Sequence, residues 1–204
     1  MRSVTTALVL VMCTLFCTAQ HWHVKSHPNN GYKAIAMDSM LLSGYVYTEV
    51  SMLAEGKAFV AQGDLYAYID EKGAELTPYV FAEASNFIGG YAIVGDSFNR
   101  SVINDRMQLI VPFKFARVQL PKFGLIAVQS HEGLWGAYDL RGNLKLPFIY
   151  DLPPRILSLE RIIVRQEDEY GIVNDCNETV FNCAYQYITL EGLAFKQGNY
   201  LRLF

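Results

Sequence analysis

The strongest constraint on this fold is a pattern that recurs about every 35 residues from Gly63 onward. Its clearest copy runs from Phe123 to Asp151 and reads as three strand-like pieces, Gly124–Gln129, Leu134–Asp139 and Leu144–Tyr150. Polar or Gly-containing turns separate the pieces, as expected for hairpins. A unit of three short strands cannot bury its own apolar face. Neighbouring copies must therefore stack on one another.

Each copy carries a signature dipeptide at the start of its second strand. It is Trp135–Gly136 in the clearest copy, and its counterparts begin at Tyr66, Arg100, Tyr170 and Tyr200, in steps of 34, 35, 35 and 30 residues. A large side chain followed by Gly lets a neighbouring backbone approach closely, so we predict packing rather than ligand binding. The full set of signature positions is Tyr66, Ala67, Gly73, Pro78, Pro112, Trp135, Gly136, Gly142, Pro147, Tyr170 and Gly171.

This repeat predicts an all-β fold, an array of about four to five antiparallel β-hairpin or three-strand repeats, solenoid-like or propeller-like. We divide the chain into residues 1–19 as a leader, 20–56 as an N-terminal segment and divergent cap, and 57–204 as the repeat domain. In the cap, Tyr32–Met37 and Tyr45–Val50 read as strands, and Met37–Ser43 as a short helix.

The repeat resembles the bacterial WG-repeat family, whose units pair an apolar strand with a Trp-Gly segment that ends in Pro and an aromatic residue. The match is close in Gly133–Tyr150, fair in Gly63–Tyr79 and more distant in the other copies. The resemblance implies β-structured repeats without an attributed catalytic activity, and thus a non-catalytic role.

The first nineteen residues predict a cleavable signal peptide. Arg2 precedes an apolar run from Ala7 to Phe16, and small residues at Cys17 and Ala19 satisfy a small-x-small cleavage rule. A run of about ten residues is too short to span a bilayer, which requires roughly 20 helical residues. We therefore expect a periplasmic or secreted protein with no membrane span after cleavage.

Export would change how the cysteines are interpreted. Cys13 and Cys17 leave with the leader, and lipidation of either is disfavoured by the bulky residue before it. The remaining pair, Cys176 and Cys183, suggests one disulfide in an oxidising compartment. Two free thiols are the alternative, because the repeat alignment places Cys176 in a turn and Cys183 well along the return strand.

Composition excludes several partners. The chain is 51% hydrophobic and 18% charged with a net charge of −3, and removal of Arg2 makes it −4. A mildly acidic chain without basic stretches is not suited to nucleic acid or to anionic lipid. The expected partner is an unknown protein or envelope component.

Motifs for catalysis are not found in the sequence. His131 is the only histidine outside the N-terminal segment, and its polar turn, Ser130–Gly133, predicts a solvated side chain. Asp70 and Asp139 recur in register, which favours Asx capping of a hairpin turn over paired catalytic carboxylates. We predict no enzyme activity, no cofactor and no metal, and a role as an interaction module.

Three alternatives remain open. An interaction surface would expose aromatic side chains at one repeat position, for which Phe81, Phe115 and Tyr150 are the candidates. A metal-binding accessory protein would use the histidines that follow the cleavage site, above all His23, with a free terminal amine. An unrecognised hydrolase would need His131 in a cleft beside a nucleophile.

Overall fold

The computed structural model describes residues 21–204, which form twenty strands in six antiparallel sheets. The predicted leader, residues 1–19, lies outside the described residues. Sheets 1 to 3 have three strands each: β1 (Trp22–Ser26), β2 (Lys33–Met37), β3 (Met40–Leu41); β4 (Glu49–Val50), β5 (Lys57–Gln62), β6 (Leu65–Asp70); β7 (Glu83–Ala84), β8 (Tyr91–Gly95), β9 (Arg100–Asn104).

Sheets 4 and 5 have four strands each, and sheet 6 has three. Their strands are β10 (Arg117–Val118), β11 (Leu125–Gln129), β12 (Trp135–Asp139), β13 (Leu144–Tyr150); β14 (Arg155–Ser158), β15 (Arg161–Gln166), β16 (Glu169–Val173), β17 (Thr179–Tyr185); β18 (Tyr187–Ile188), β19 (Leu193–Lys196), β20 (Asn199–Arg202). Every sheet is a meander in chain order, so each repeat folds from local pairings. The all-β repeat prediction is confirmed, and no helix in residues 21–204 is long and apolar enough to cross a membrane.

Strands in the interior of the array bury both of their faces. In β6, Ala67 and Ile69 belong to the cluster shared with sheet 1, whereas Tyr68 between them belongs to the cluster shared with sheet 3. Successive side chains of a strand point to opposite faces, so a strand between two sheets is apolar at consecutive positions. This is why the hairpin strands read as short apolar runs.

Five hydrophobic clusters join the six sheets in series. They lie between sheets 1 and 2, 2 and 3, 3 and 4, 4 and 5, and 5 and 6. No cluster within residues 21–204 combines side chains from sheets 1 and 6. The core is thus a chain of nearest-neighbour interfaces, the energetic plan of a repeat protein.

The turn after the second hairpin strand has the same hydrogen bonds in four sheets. Oδ1 of Asp139 accepts from the backbone N–H groups of Arg141 and Asn143 at 2.9 and 2.8 Å. Asp70, Asn104 and Asn174 accept from the residues two and four positions ahead in the same way. The Asx interaction expected at Asp70 and Asp139 is therefore present.

The N-terminal segment is closer to a repeat than the sequence suggested. The expected helix at Met37–Ser43 is wrong, because β3 pairs there with β2 in a tight turn. Lys33 bridges Tyr47 as Tyr66 bridges Phe81 in sheet 2, which makes sheet 1 a repeat of the same plan. Met37 stands where sheets 2 to 5 have the Asp or Asn of the Asx turn, and this hid the unit in the sequence.

Candidate functional site

The signature dipeptides lie in the packing between strands and sheets. Trp135 is 6% exposed within the cluster of sheets 4 and 5. A Cβ on Gly136 would lie 2.7 Å from the carbonyl oxygen of Leu146, and one on Gly171 would lie 2.7 Å from Cys183 N and Sγ and from Phe181 O. Glycine at this position thus lets the return strand approach closely.

Tyr66 and Tyr170, the aromatic residues of two other dipeptides, are half-buried, whereas Tyr200 in the last dipeptide is exposed. The hydroxyl of Tyr66 donates to Glu49 Oε2 at 2.8 Å, and this hydrogen bond raises the pKa of Tyr66. Tyr170 packs beside the cluster of sheets 5 and 6, with the guanidinium groups of Arg155 and Arg165 at 5.4 and 5.8 Å from its ring centre. Tyr66 is thus engaged within its own repeat, whereas Tyr170 also contacts the next sheet, with the ring centre of Tyr187 at 6.2 Å.

The remaining signature residues shape the strands and turns. Ala67 is fully buried, and Gly73 and Gly142 adopt φ of 83° and 81° in the Asx turns. Pro147 lies in β13 beside a register shift, on the edge of sheet 4, where a missing N–H is tolerated. Pro78 and Pro112 are exposed at the equivalent position of sheets 2 and 3.

The two cysteines of the predicted pair are free thiols in the structure. Cys176 is exposed in the turn after β16, and Cys183 is half-buried in β17 opposite Gly171. Burial raises the pKa of the Cys183 thiol. Cys176 thus lies in a turn and Cys183 lies well along the return strand, as the repeat alignment predicted.

The repeat position expected to expose aromatic rings contributes instead to the core. Phe115 and Tyr150 are each 2% exposed, and Phe81 is half-buried with its ring 6.5 Å from that of Tyr68. Each of these residues lies at the end of the return segment and pairs with the first residue of the signature dipeptide. This pairing turns its ring toward the core. They provide no exposed aromatic patch.

A groove at the boundary of sheets 3 and 4 is the best candidate for a binding site. We call it the His131 groove. It has a volume of about 490 Å³. Its lining comes from the end of the third repeat, the hairpin loop of the fourth and the return strand β13, and consists of Lys114, Phe115, Ser130, His131, Glu132, Leu134 and Phe148.

The floor of the His131 groove is aromatic and its rim is polar. The rings of Phe115 and Phe148 stack with centres 5.8 Å apart and an interplanar angle of 19°. On the rim, Lys114 Nζ lies 5.8 Å from the centre of the Phe115 ring. Glu132 adds a negative charge, and a hydrogen bond from Ser130 lowers the pKa of its carboxyl. An apolar floor with opposite charges above it suits an amphipathic ligand.

The polar side chains of this groove are not arranged as a nucleophile and base. Nε2 of His131 lies 3.1 Å from Asn99 Oδ1, and within residues 21–204 no hydrogen bond joins its ring to the Ser130 hydroxyl. A serine hydrolase needs the base to receive the proton of the hydroxyl nucleophile. The hydrolase hypothesis requires a cleft in which His131 contacts a nucleophile. The His131 groove provides the cleft, but His131 contacts Asn99 there.

Metal-binding side chains do not gather in the described part of the chain. Within residues 21–204, no group of three or more His, Cys, Asp or Glu could hold an ion. His21 and His23 stack with ring centres 5.9 Å apart, and the backbone N–H of His21 donates to Asp38 Oδ1 at 2.9 Å. The alternative of metal binding through a free terminal amine involves Gln20, which lies outside the described residues.

Sequence reasoning found His131 but not the groove. The loop between Gln129 and Trp135 has five residues, whereas the one between Gln62 and Leu65 has two. A longer hairpin loop projects further beyond the sheet and can form one wall of a cleft. This difference in loop length was the available signal.

Comparison with known proteins supports WG-type repeats in part of the chain. Residues 66–95 match the family model described as WG containing repeat. This segment runs from the second strand of the hairpin in sheet 2 to the first strand of the hairpin in sheet 3. No curated protein matches the chain.

Several solved structures are similar at low sequence identity. The computationally designed Ika4 protein is 11% identical over 62% of this chain and 92% of its own, with a TM-score of 0.38. BamB from Moraxella catarrhalis is 10% identical over 87% of this chain and 71% of its own, also with a TM-score of 0.38. The N-terminal domain of Nup159 is 12% identical over 70% and 47%, with a TM-score of 0.38.

Proposed function

We propose that this protein is a non-catalytic binding module, exported by its leader-like first nineteen residues, whose partner docks in the His131 groove. The observation that carries the proposal is the groove itself, which combines an apolar floor with charges of both signs on its rim. Repeat arrays commonly bind through surfaces built from several units, and this groove is built from two. The partner is a protein or envelope component.

The rim of the groove can be changed without disturbing the core. Lys114 and His131 are exposed, whereas Phe115 beneath them is buried. Reversing the charge at Lys114 would repel a partner that approaches it with an anionic group. Lys72, an exposed lysine in the turn after β6, provides a matched control.

The test is affinity capture from an envelope extract of the source cells with wild-type, Lys114→Glu, His131→Ala and Lys72→Glu proteins, followed by mass spectrometry. We expect the amount of one captured partner to fall at least about tenfold with each groove variant, relative to wild type, and to stay unchanged with Lys72→Glu. A tenfold loss of affinity corresponds to roughly 1.4 kcal/mol of binding free energy. A partner captured equally by all four proteins would contradict the proposal. Intact mass of the exported protein tests the leader, with loss of residues 1–19 expected.

A further inference from the structure

The loop between β1 and β2 contains the one Asn-Gly pair in the sequence, Asn30–Gly31. Both residues are exposed, in the loop that connects Ser26 to Lys33, the paired residues nearest the turn. The backbone nitrogen that follows an asparagine can attack the side-chain amide, and Gly obstructs this attack least because it has no side chain. This loop therefore carries the two groups that such an intramolecular reaction requires.

The side chain of Asn30 is folded over the backbone of the next residue. Its Oδ1 accepts a hydrogen bond from the backbone N–H of Tyr32 at 3.1 Å, which closes an Asx turn. The ring closed by this bond contains both Cγ of Asn30 and the backbone nitrogen of Gly31. The turn therefore keeps the two atoms that would react near each other.

The same hydrogen bond is placed where negative charge develops during the attack. When a nitrogen adds to Cγ, the electron pair of the C=O bond moves onto Oδ1, and the N–H of Tyr32 already donates to this oxygen. A donor positioned in advance at a developing oxyanion lowers the barrier of such a step. Tyr32 is thus a positioning residue that acts through its backbone.

The attacking nitrogen has no competing contacts in the described part of the chain. Within residues 21–204, no acceptor pairs with the backbone N–H of Gly31. Gly31 has a φ of 74°, and a Cβ built on it would meet nothing within 4 Å. Neither a hydrogen bond nor a packed neighbour therefore holds this nitrogen away from the Asn30 side chain.

Asn174 makes a similar turn without these permissive features. Its Oδ1 accepts from the backbone N–H of Cys176 at 3.0 Å. The intervening residue is Asp175, and its backbone N–H donates to the carbonyl oxygen of Leu159 at 2.7 Å. The nitrogen next to Asn174 is thus already hydrogen-bonded and also carries a side chain on its Cα. Asn174 therefore provides a control within the same molecule.

We propose that Asn30 is a site of spontaneous deamidation and that the β1–β2 loop promotes the reaction. The nitrogen of Gly31 loses its proton and forms a bond to Cγ of Asn30. The C–N bond of the side-chain amide breaks, and ammonia leaves with that proton. Water then opens the cyclic succinimide at either of its two carbonyl groups, which yields aspartate or isoaspartate. Water is the only other reactant, and no atom is oxidised or reduced.

The reaction alters sheet 1, the first unit of the array, in two ways. Either product makes the chain, with its net charge of −3, one unit more negative. Isoaspartate also runs the main chain through Cβ and Cγ, which adds a carbon atom to the loop between Ser26 and Lys33. Loop length helps to set the register of a hairpin, so isoaspartate weakens the pairing of these two residues.

The test is incubation of the full-length chain at neutral and at mildly alkaline pH, followed by proteolysis and mass spectrometry with fragmentation that distinguishes isoaspartate from aspartate. We expect Asn30 to undergo the mass change that replacement of ammonia by water produces. Isoaspartate should be among the products, and the rate should rise with pH because the nitrogen must lose its proton. Aspartate without isoaspartate would indicate direct hydrolysis by water and would overturn attack by Gly31.

The internal control and an unfolded sample separate the loop from its sequence. Asn174 should react at least about tenfold more slowly than Asn30, because its neighbouring N–H must first give up a hydrogen bond. The folded chain should modify Asn30 at least as fast as the chain unfolded in urea, because only the folded loop holds the Tyr32 donor in place. A slower reaction in the folded chain, or equal rates at Asn30 and Asn174, would overturn the inference.

Two variants at neighbouring positions assign the modified residue. Asn30→Gln should prevent the modification of this loop, because the longer side chain cannot form the same ring with the Gly31 nitrogen. Asn29→Gln, at the exposed position just before it, should retain the modification. Modification of the loop that persists in Asn30→Gln and disappears in Asn29→Gln would place the reaction at Asn29 and contradict the proposal.

Discussion

At the scale of single residues, the second position of the signature dipeptide controls how closely the return strand approaches. Gly136 and Gly171 are followed by the seven-residue return strands β13 and β17. Where sheets 2 and 3 have Ala67 and Ser101, the return segment makes isolated bridges instead. The hydroxyl of Ser101 donates to the carbonyl of Val111 at 2.6 Å, so it uses the space that Gly leaves to the backbone.

The steric requirement at Gly136 can be measured directly. We expect Gly136→Ala to lower the free energy of unfolding by about 1–3 kcal/mol, because its Cβ would meet the Leu146 carbonyl oxygen at 2.7 Å. Gly44→Ala is the control, since its Cβ would lie 3.6 Å from Val46 and its effect should remain within about 0.5 kcal/mol. Urea unfolding of both variants checks this, and equal effects would show that the close approach at Gly136 is not required.

The Asx turns differ in whether their capping side chain is ionisable. Hydrogen bonds from the Asn143 side chain and backbone lower the pKa of Asp139, whereas Asn104 and Asn174 make the same turn without an ionisable group. A carboxyl whose folded pKa is lowered contributes stability above its unfolded pKa of about 3.9 and loses it as the pH falls through the folded value. This contribution is therefore present at neutral pH and disappears in acid.

We expect Asp139→Asn to fold at pH 7 and to lose less stability than the wild type as the pH falls through this acid range. Asp139→Ala, which removes the acceptor, should be destabilised at pH 7 by about 0.5–1.5 kcal/mol. Urea unfolding at pH 7 and at pH 3.5 measures both effects. An identical acid response in wild type and Asp139→Asn would show that the turn carboxylate contributes nothing to it.

At the scale of elements, sheets 2 and 3 are also linked through the turns that precede their central hairpins. The carboxylate of Glu55, in the turn between β4 and β5, accepts hydrogen bonds from the backbone N–H groups of Gly89 and Gly90 at 2.6 and 2.8 Å. Gly89 and Gly90 form the equivalent turn of the next repeat, and their positive φ directs both N–H groups to one side. This contact fixes sheet 2 against sheet 3 outside the apolar cluster.

Removal of this clamp should be seen locally. We expect Glu55→Ala to speed hydrogen exchange at the amides of Gly89 and Gly90 severalfold, with a small loss of global stability, because each lost hydrogen bond is solvent-exposed. Glu71→Ala, at an exposed glutamate in the turn after β6, should leave these amides unchanged. Hydrogen exchange by NMR distinguishes the two, and unchanged rates in Glu55→Ala would exclude the clamp.

At the scale of the whole molecule, the serial clusters predict graded rather than uniform stability. Ile188 is fully buried between sheets 5 and 6, and Leu190 in the same segment is exposed. We expect Ile188→Ala to reduce stability by about 2–5 kcal/mol, mainly through opening of these two sheets. Leu190→Ala should have little effect.

Residue-resolved hydrogen exchange tests this pattern. Protection in β15, β16 and β19 should fall in Ile188→Ala, while β5, β6 and β8 keep theirs, since each apolar cluster within residues 21–204 joins only two neighbouring sheets. A uniform loss of protection across residues 21–204 would mean that the array unfolds as a single unit.

Much of this fold is determined by the sequence within one unit. The period, the strands of the clearest copy, the Asx turns and the packing role of Trp135 follow from side-chain alternation and turn chemistry that act over a few residues. Sheet 1 was not recognised as a repeat because Met37 replaces the Asp or Asn of the Asx turn. Its backbone pairing persists because it does not depend on that side chain.

Only the tertiary structure decided which faces of these units became grooves. The His131 groove is formed by Phe115, Ser130–Leu134 and Phe148, three segments that are distant in sequence and meet only when sheet 4 stacks on sheet 3. Equivalent positions such as Phe115 and Tyr150 make the same pairing with the dipeptide strand, whereas a groove forms only where segments of two neighbouring copies meet. The sequence of one unit therefore specifies its strands and turns, and stacking between units creates the groove.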